Sequence, residues 1–347
     1  MIATVATRPA WVSVRRLGEL AAAVLGAAGW GLYASMTVFA LAVSRGVMRS
    51  AVTFQFDWHV YATGASDLVD RSLYRVPLTG PAAPVDWFNL PPMSALWPLP
   101  LLPLPLEIGG YAWQVIGAAC LALAAVLTAR TLAVAMPLRL SGIALGVLAL
   151  NPGVLDGIVE GTNNYLVLAL VAGFAFAYIR RHDRWAGILL GLAIATKLWP
   201  VTLAVLLLRE RRWVAARWAA ATVGVQAALF LAWLGPDVVP HVLHGLTLTV
   251  STVSCCGMIG PAELRDSYAW WPAWIGPMIG LAFLAAPARG RAGIGLGLLA
   301  GLMFVPNLWL HYLPTAALAV VLAVSVANDQ LRTPLRPGRS ANPRRSP

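Results

Sequence analysis

The chain has 347 residues, of which 59% are hydrophobic and 11% charged, with a mean hydropathy of +0.73. Soluble domains carry about 25% charged residues, so this composition excludes a water-soluble enzyme, and its apolar content excludes an intrinsically disordered chain. The net charge of +11 is spread over short Arg clusters between apolar runs, the pattern of the positive-inside rule rather than of a nucleic-acid-binding surface. The reading is an all-α polytopic membrane protein.

In chain order, the apolar pattern predicts spans near 17–43, 110–129, 139–151, 164–179, 213–234 and 268–287, each judged against the ~20 residues that cross a bilayer core. The first run reads as an anchor that stays, because it is too long for a secretory signal. Residues 185–208 and 292–328 are also apolar but are interrupted near Pro200 and Pro306. The basic clusters resolve how they cross. Arg15–Arg16, Arg130 with Arg139, Arg180–Arg181–Arg184, Arg209–Arg211–Arg212, Arg289–Arg291 and the tail arginines from Arg332 are all expected on the cytoplasmic side. Residues 185–208 and 292–328 must then enter and leave on that same side. Both are predicted to be hairpins, with Lys197–Pro200 and Pro306–His311 at their far tips. This gives about ten crossings, some short or broken, in one transmembrane domain over 1–328. A basic cytoplasmic tail at 329–347 is expected to be disordered near anionic headgroups. Irregular backbone at membrane depth is tolerated only where it lines a cavity or packs in protein, so the tips are expected to face a site.

Three segments fall on the opposite side. The first is the long loop 44–108, within which the proline-rich stretch 88–107 either dips into the membrane or forms a further short span. The others are 152–163, carrying Asp156, Glu160 and Asn163, and 235–267, carrying His241, His244, Glu263, Arg265 and Asp266. No period of 20–50 residues repeats. The cysteines Cys120, Cys255 and Cys256 have no CxxC or Cys/His spacing, so neither a zinc site nor a disulfide framework is expected.

The candidate chemistry is sparse. Asp57 follows the first span and is flanked by Phe56 and Trp58. It reads either as a solvated acid in an aromatic belt or as a carboxyl with a raised pKa suited to a general base. Asp67 is spaced to pair with Arg71. Lys197 is the only lysine. It lies in an apolar helix, where a charge costs roughly 2.5–3.5 kcal/mol on insertion scales, and intramembrane ions are functional candidates. An ammonium facing a cavity there suits a phosphate. His311 follows the second proline break, crowded by Asn307, Trp309 and Tyr312. The run Gly161–Thr162–Asn163–Asn164 opens a helix, with Thr162 or Asn163 as its cap, and a helix N-terminus also suits an anion. Neither GxGxxG nor GxxxxGK[ST] is present, so a donor of any transferred group arrives by another route, such as a lipid carrier.

Several motifs occur in a characteristic order. They are an acid after the first span, Leu73–Tyr74, Asn89–Leu90–Pro91–Pro92 before PLPLLPLP, Gly161–Asn164, the G-L-A-x-A-x-K-x-x-P helix from Gly191 to Pro200, and P-x-x-W-x-H-Y-x-x-P from Pro306 to Pro314. Together, over roughly 20–325, they resemble the polyprenol-phosphate-sugar-dependent glycosyltransferases of the GT-C fold, in particular glycosyltransferase family 87, the actinobacterial α-mannosyltransferase and arabinofuranosyltransferase group. The chain departs from the family in its shorter length and in Thr162, where the family element has glutamine. The resemblance implies a GT-C-like bundle in the plasma membrane with its active site on the extracytoplasmic face. It implies Asp57 as catalytic acid/base of the first outer loop, with Lys197 and the Trp309–His311 segment at conserved positions. The expected reaction is inverting transfer of one sugar, mannose, from a polyprenyl phosphate to a glycolipid or lipoglycan. Asp57 would be the general base, and Lys197 and His311 would hold the leaving phosphate. Trp58, Tyr61, Asn163, Asn164 and Trp309 are expected to contact substrate, with Trp87 and Trp97 as further stacking surfaces. No metal, cofactor or nucleic acid is expected. The alternatives are arabinofuranosyl transfer by the same fold, or a lipid or solute transporter.

Overall fold

A computed structural model describes residues 10–47, 56–76, 88, 90–244, 275–305 and 312–332. Among these the regular elements are all helical. The first is α1 (Ala10–Val47), followed by α2 (Phe56–Val69), the one-turn α3 (Met93–Leu96) and α4 (Leu106–Thr131). Next come α5 (Pro137–Ala149), α6 (Pro152–Glu160), α7 (Asn164–Ile179), α8 (Asp183–Thr196), α9 (Thr202–Arg209) and α10 (Trp213–Leu234). The last three are α11 (Ile275–Ala285), α12 (Gly290–Met303) and α13 (Leu313–Arg332). Among the described residues α1, α4 and α10 are long and apolar enough to cross a membrane, and the bent pair α5–α6 adds a fourth if it is one span. The remaining apolar helices are short, with α7 spanning about 24 Å against a core of about 30 Å.

The apolar faces left open on α1 (Leu17, Leu20, Val24, Leu25) and α10 (Val225, Leu229, Leu231) are costly in water and natural against lipid. Inside, α7 is apolar all round and buried along most of its length, which places it at the centre of the bundle. It packs between α4 and α8, and α8 packs on α10. Glycines allow the closest crossings. A Cβ on Gly142 of α5 would lie 2.2 Å from the Gly26 carbonyl oxygen of α1, and one on Gly146 would lie 2.7 Å from Gly29 Cα. These backbones touch in the small-residue mode of membrane helices, where van der Waals packing replaces the hydrophobic effect.

The two ends of the bundle differ chemically. Arg130, Arg139, Arg180, Arg181, Arg184, Arg209, Arg211, Arg212, Arg289 and Arg291 all sit at or beside helix termini on one end. The Arg212 guanidinium donates to Asp183 at the start of α8, so α8 and the α9–α10 junction meet at this basic end. The chain therefore climbs through α8 and returns through α9, with different helices flanking each arm. The turn is Lys197 in extended conformation (φ −143°, ψ 139°) followed by a single 3-10 turn at Trp199–Val201. Likewise α12 starts at the basic end, where the Gly290 N–H donates to Glu210 (2.7 Å), and α13 packs back along it. Both broken stretches are hairpins, as the arginine clusters predict. Residues 306–311, the second tip, lie outside the described residues, together with Trp309 and His311.

Several expectations change. Residues 152–160 of the segment 152–163 form α6, a helix not among the predicted elements. The Asn151 side chain accepts from the Gly153 N–H (2.8 Å), Pro152 occupies the first turn, and Gly161 closes the helix in the left-handed region (φ 72°). An 86° bend at the break after α5 turns α6 across the end of the bundle. The proline-rich stretch, as far as it is described, forms no long helix of its own before α4 begins at Leu106. Short turns at Met93–Leu96 and Leu99–Leu101 fold onto the first hairpin tip, where the Ser94 hydroxyl donates to the Thr196 carbonyl (2.6 Å) and the Trp97 indole to the Thr196 hydroxyl (2.9 Å). The expected Asp67–Arg71 pair does not form. The helix ends at Val69 and Arg71 has φ 58°, which breaks the i,i+4 geometry. The Arg71 guanidinium instead lies 4.2 Å from the Trp233 ring centroid, and Arg75 pairs with Asp237 at 2.9 Å. Helix α13 runs to Arg332, past the expected boundary at 328. Trp87, Asn89, Cys255, Cys256, Glu263, Arg265, Asp266 and the tail from 333 lie outside the described residues.

Candidate active site

At the end away from the arginines, α2 lies over the junction of α6 and α7. It is held by its own small core of Trp58, Tyr61, Leu68, Tyr74, Phe88 and Trp113. Asp57 occupies the first turn of α2, where the helix dipole favours a carboxylate. Tyr61, one turn on, shares its face, and its hydroxyl donates to Asp57 Oδ2 (3.1 Å). That hydroxyl in turn accepts from the Asn163 backbone N–H (3.3 Å). The Thr162 hydroxyl stands beside the same carboxylate and accepts from the Asn164 N–H (3.3 Å). Thr162 thereby satisfies the first turn of α7. Asn163, at the N-cap position, makes no side-chain cap bond and donates instead to Ser94 Oγ (3.2 Å).

The first hairpin tip completes the cluster. Lys197 Nζ donates to Asn164 Oδ1 (2.5 Å), lies 3.5 Å from the Tyr312 hydroxyl, and stands 5.4 Å from the Tyr312 ring centroid. Tyr312 immediately follows the second tip, so the two hairpins and the α2 loop meet at one place. Asp57 and Lys197, far apart in sequence, face each other across the Thr162–Asn164 turn. Burial pushes the Asp57 carboxyl above the usual carboxylate range, while the Lys197 charge and the bonds from Thr162 and Tyr61 pull it back down.

Asp57 and Lys197 are half-buried, whereas Tyr61, Asn163 and Asn164 are 2%, 1% and 2% exposed. The two ionisable groups are thus partly accessible, and the three expected substrate contacts are buried beside them. Among the described residues Asn163 Oδ1 and Asn164 Nδ2 have no hydrogen-bond partner. Trp58 has no open face for a sugar. It is 1% exposed, donates to the Leu106 carbonyl (2.9 Å) and packs on Trp113 at 6.0 Å between centroids. Its role is to seat α2 on α4. Trp97 is half-buried beside Thr196, at the edge of the cluster.

Two acids that sequence reasoning left without a role join the site through the α6 bend. Burial raises Asp156, and the Asp57 charge raises it further. Glu160 is pushed up to about 8 by burial, with Asp57 and Asp156 adding to it. Backbone contact explains the proximity, because Gly161 is so close to α2 that a Cβ there would lie 3.2 Å from Trp58 Cβ. A carboxyl whose folded pKa is raised binds its proton more tightly when folded, so its stabilising share is complete below the unfolded pKa and is lost as pH rises through about 8. Glu160→Gln is therefore expected to melt several degrees above the parent at pH 9 and close to it at pH 5. Parallel melting curves at both pH values check this.

The geometry offers one carboxylate, one ammonium and buried polar side chains between them, suited to acid–base chemistry beside an anionic group. A comparison with curated proteins returns no match. A family model, glycosyltransferase family 87, matches residues 88–328. The match takes in Lys197, the Gly161–Asn164 turn and both hairpins, while Asp57 precedes it. With more than half of the sequence matched and an all-helical membrane bundle around it, the chain belongs to glycosyltransferase family 87.

Proposed function

We propose that this membrane glycosyltransferase moves a single mannose from a polyprenyl phosphate to a glycolipid or lipoglycan acceptor, with inversion, at the extracytoplasmic face of the plasma membrane. The observation that carries this reading is the convergence of Asp57 and Lys197 on one polar cluster at the end of the bundle opposite the arginines. The arginine-rich end is cytoplasmic by the positive-inside rule, so the cluster faces outward. Asp57 takes the proton of the acceptor hydroxyl as that oxygen bonds to the anomeric carbon. The bond from this carbon to the phosphate oxygen breaks, and its electron pair leaves with the phosphate. Positive charge develops on the sugar ring, as in other glycosyl chemistry. Lys197 stabilises the departing phosphate, joined by His311 from the second tip.

The electrostatics link donor binding to base strength. In the free enzyme the Lys197 charge holds the Asp57 pKa down. A donor phosphate engages that charge, so the carboxylate becomes a stronger base when the sugar is in place. Tyr61, Asn163 and Asn164 serve as positioning residues: Tyr61 orients the carboxylate, and Asn164 holds the ammonium. The test is purified protein in lipid nanodiscs with radiolabelled polyprenyl-phosphate mannose, the arabinofuranosyl analogue in parallel, and a mannolipid acceptor. Labelled, chain-extended lipid from the mannose donor is expected. Product from the arabinofuranosyl donor alone would reassign the sugar. Solute or lipid uptake into sealed vesicles without a new glycosidic bond would select a transporter.

A further inference from the structure

A second site lies at the arginine-rich end. Arg130 at the end of α4, Arg180 and His182 after α7, and Pro137 at the start of α5 enclose a polar pocket of about 520 Å³ with Phe176 on its wall. Phe176 and His182 also line a second cavity, an apolar groove of about 400 Å³ that runs between α4, α7 and α8 and ends at Trp185. The two spaces adjoin at these shared residues, a cationic mouth beside an apolar groove. Arg180 is turned toward the mouth, its guanidinium 5.5 Å from the Phe176 ring centroid. Both arginines are exposed, and among the described residues neither forms an ion pair. The nearest acid in sequence, Asp183, is engaged by Arg212, so the positive charge of the pocket is not cancelled locally. Trp185 is 63% exposed at the rim, in the manner of an interfacial aromatic anchor.

We propose that this is a binding site for an anionic phospholipid, with its headgroup phosphate between Arg130 and Arg180 and one acyl chain in the groove below. Charge selects the headgroup, and the adjoining apolar groove selects a lipid over a soluble phosphate. The site stands about one helix length of α7 from the Asp57–Lys197 cluster and shares no residue with it, so it does not depend on the catalytic reading. Two arginines near a membrane surface place the expected preference for an anionic lipid at roughly tenfold or more.

The experiment uses the full chain, delipidated in detergent and titrated with phosphatidylglycerol or phosphatidylcholine, with retained lipid counted by native mass spectrometry. Phosphatidylglycerol is expected to bind about tenfold more tightly, and R130Q/R180Q to lose that preference while its melting temperature in phosphatidylcholine stays at the parent value. The single variants R130Q and R180Q should each lose part of it, which keeps the test informative if the double variant folds poorly. Equal binding of the two lipids by the parent, or an unchanged preference in the variants, overturns the proposal. Displacement of bound phosphatidylglycerol by millimolar inorganic phosphate alone also overturns it, by assigning the mouth to a soluble anion.

Discussion

Asp57→Asn is expected to leave a folded, membrane-inserted protein whose transfer rate falls about a thousandfold, in the middle of the 10²–10⁴ that a positioned general base contributes. Asparagine keeps the size of the side chain and still accepts from the Tyr61 hydroxyl that lies 3.1 Å from the carboxylate. The change therefore removes proton acceptance and little else. It also separates chemistry from architecture, since α2 is anchored by Trp58, Tyr74 and Phe88 rather than by the acid. Donor binding should survive, because the proposed contact to the phosphate is Lys197. Radiolabelled transfer, donor binding and melting temperature measured on one preparation check all three points. Near-parental transfer would remove Asp57 from the role of base.

The hairpins were legible in the sequence because charge in a membrane is expensive. Once Arg180–Arg184 and Arg209–Arg212 are placed on one side, 185–208 has no choice but to double back, and the prolines mark where. The same logic located Lys197 at a tip. The α6 helix was not read, although Asn151–Pro152 and Gly161 are ordinary start and stop signals. Nine residues are too few for a helical period to stand out. The approach of Asp156 and Glu160 to Asp57 was beyond sequence reasoning altogether, because it depends on an 86° bend. Trp58 shows the opposite error. An aromatic beside an acid suggests a sugar platform, but which way it faces is set by tertiary packing, and here the indole is spent on Leu106. Arg71 likewise follows tertiary rather than local geometry, since the left-handed backbone after α2 swings it to Trp233.

Lys197→Met is expected to lower transfer by about 10²–10³-fold, the loss that follows removal of one preorganised stabiliser of developing negative charge, and also to move the pH profile. The direction follows from the site. Burial raises the Asp57 pKa and the Lys197 charge lowers it, so without the cation the carboxyl keeps its proton to higher pH. The base is active only when deprotonated, so the acidic limb of kcat/KM shifts upward in Lys197→Met. Lys197→Arg retains the charge and should hold the limb near its parental position, even though the longer, planar side chain no longer matches the Asn164 amide and loses rate. A lysine that merely plugged the hairpin tip would reduce the amount of folded enzyme without moving the limb. The pH profile therefore distinguishes an electrostatic partner of Asp57 from a structural residue. An unshifted limb in Lys197→Met, with transfer still lost in a folded protein, would mean that the two groups act independently and that Lys197 does not tune the Asp57 carboxyl.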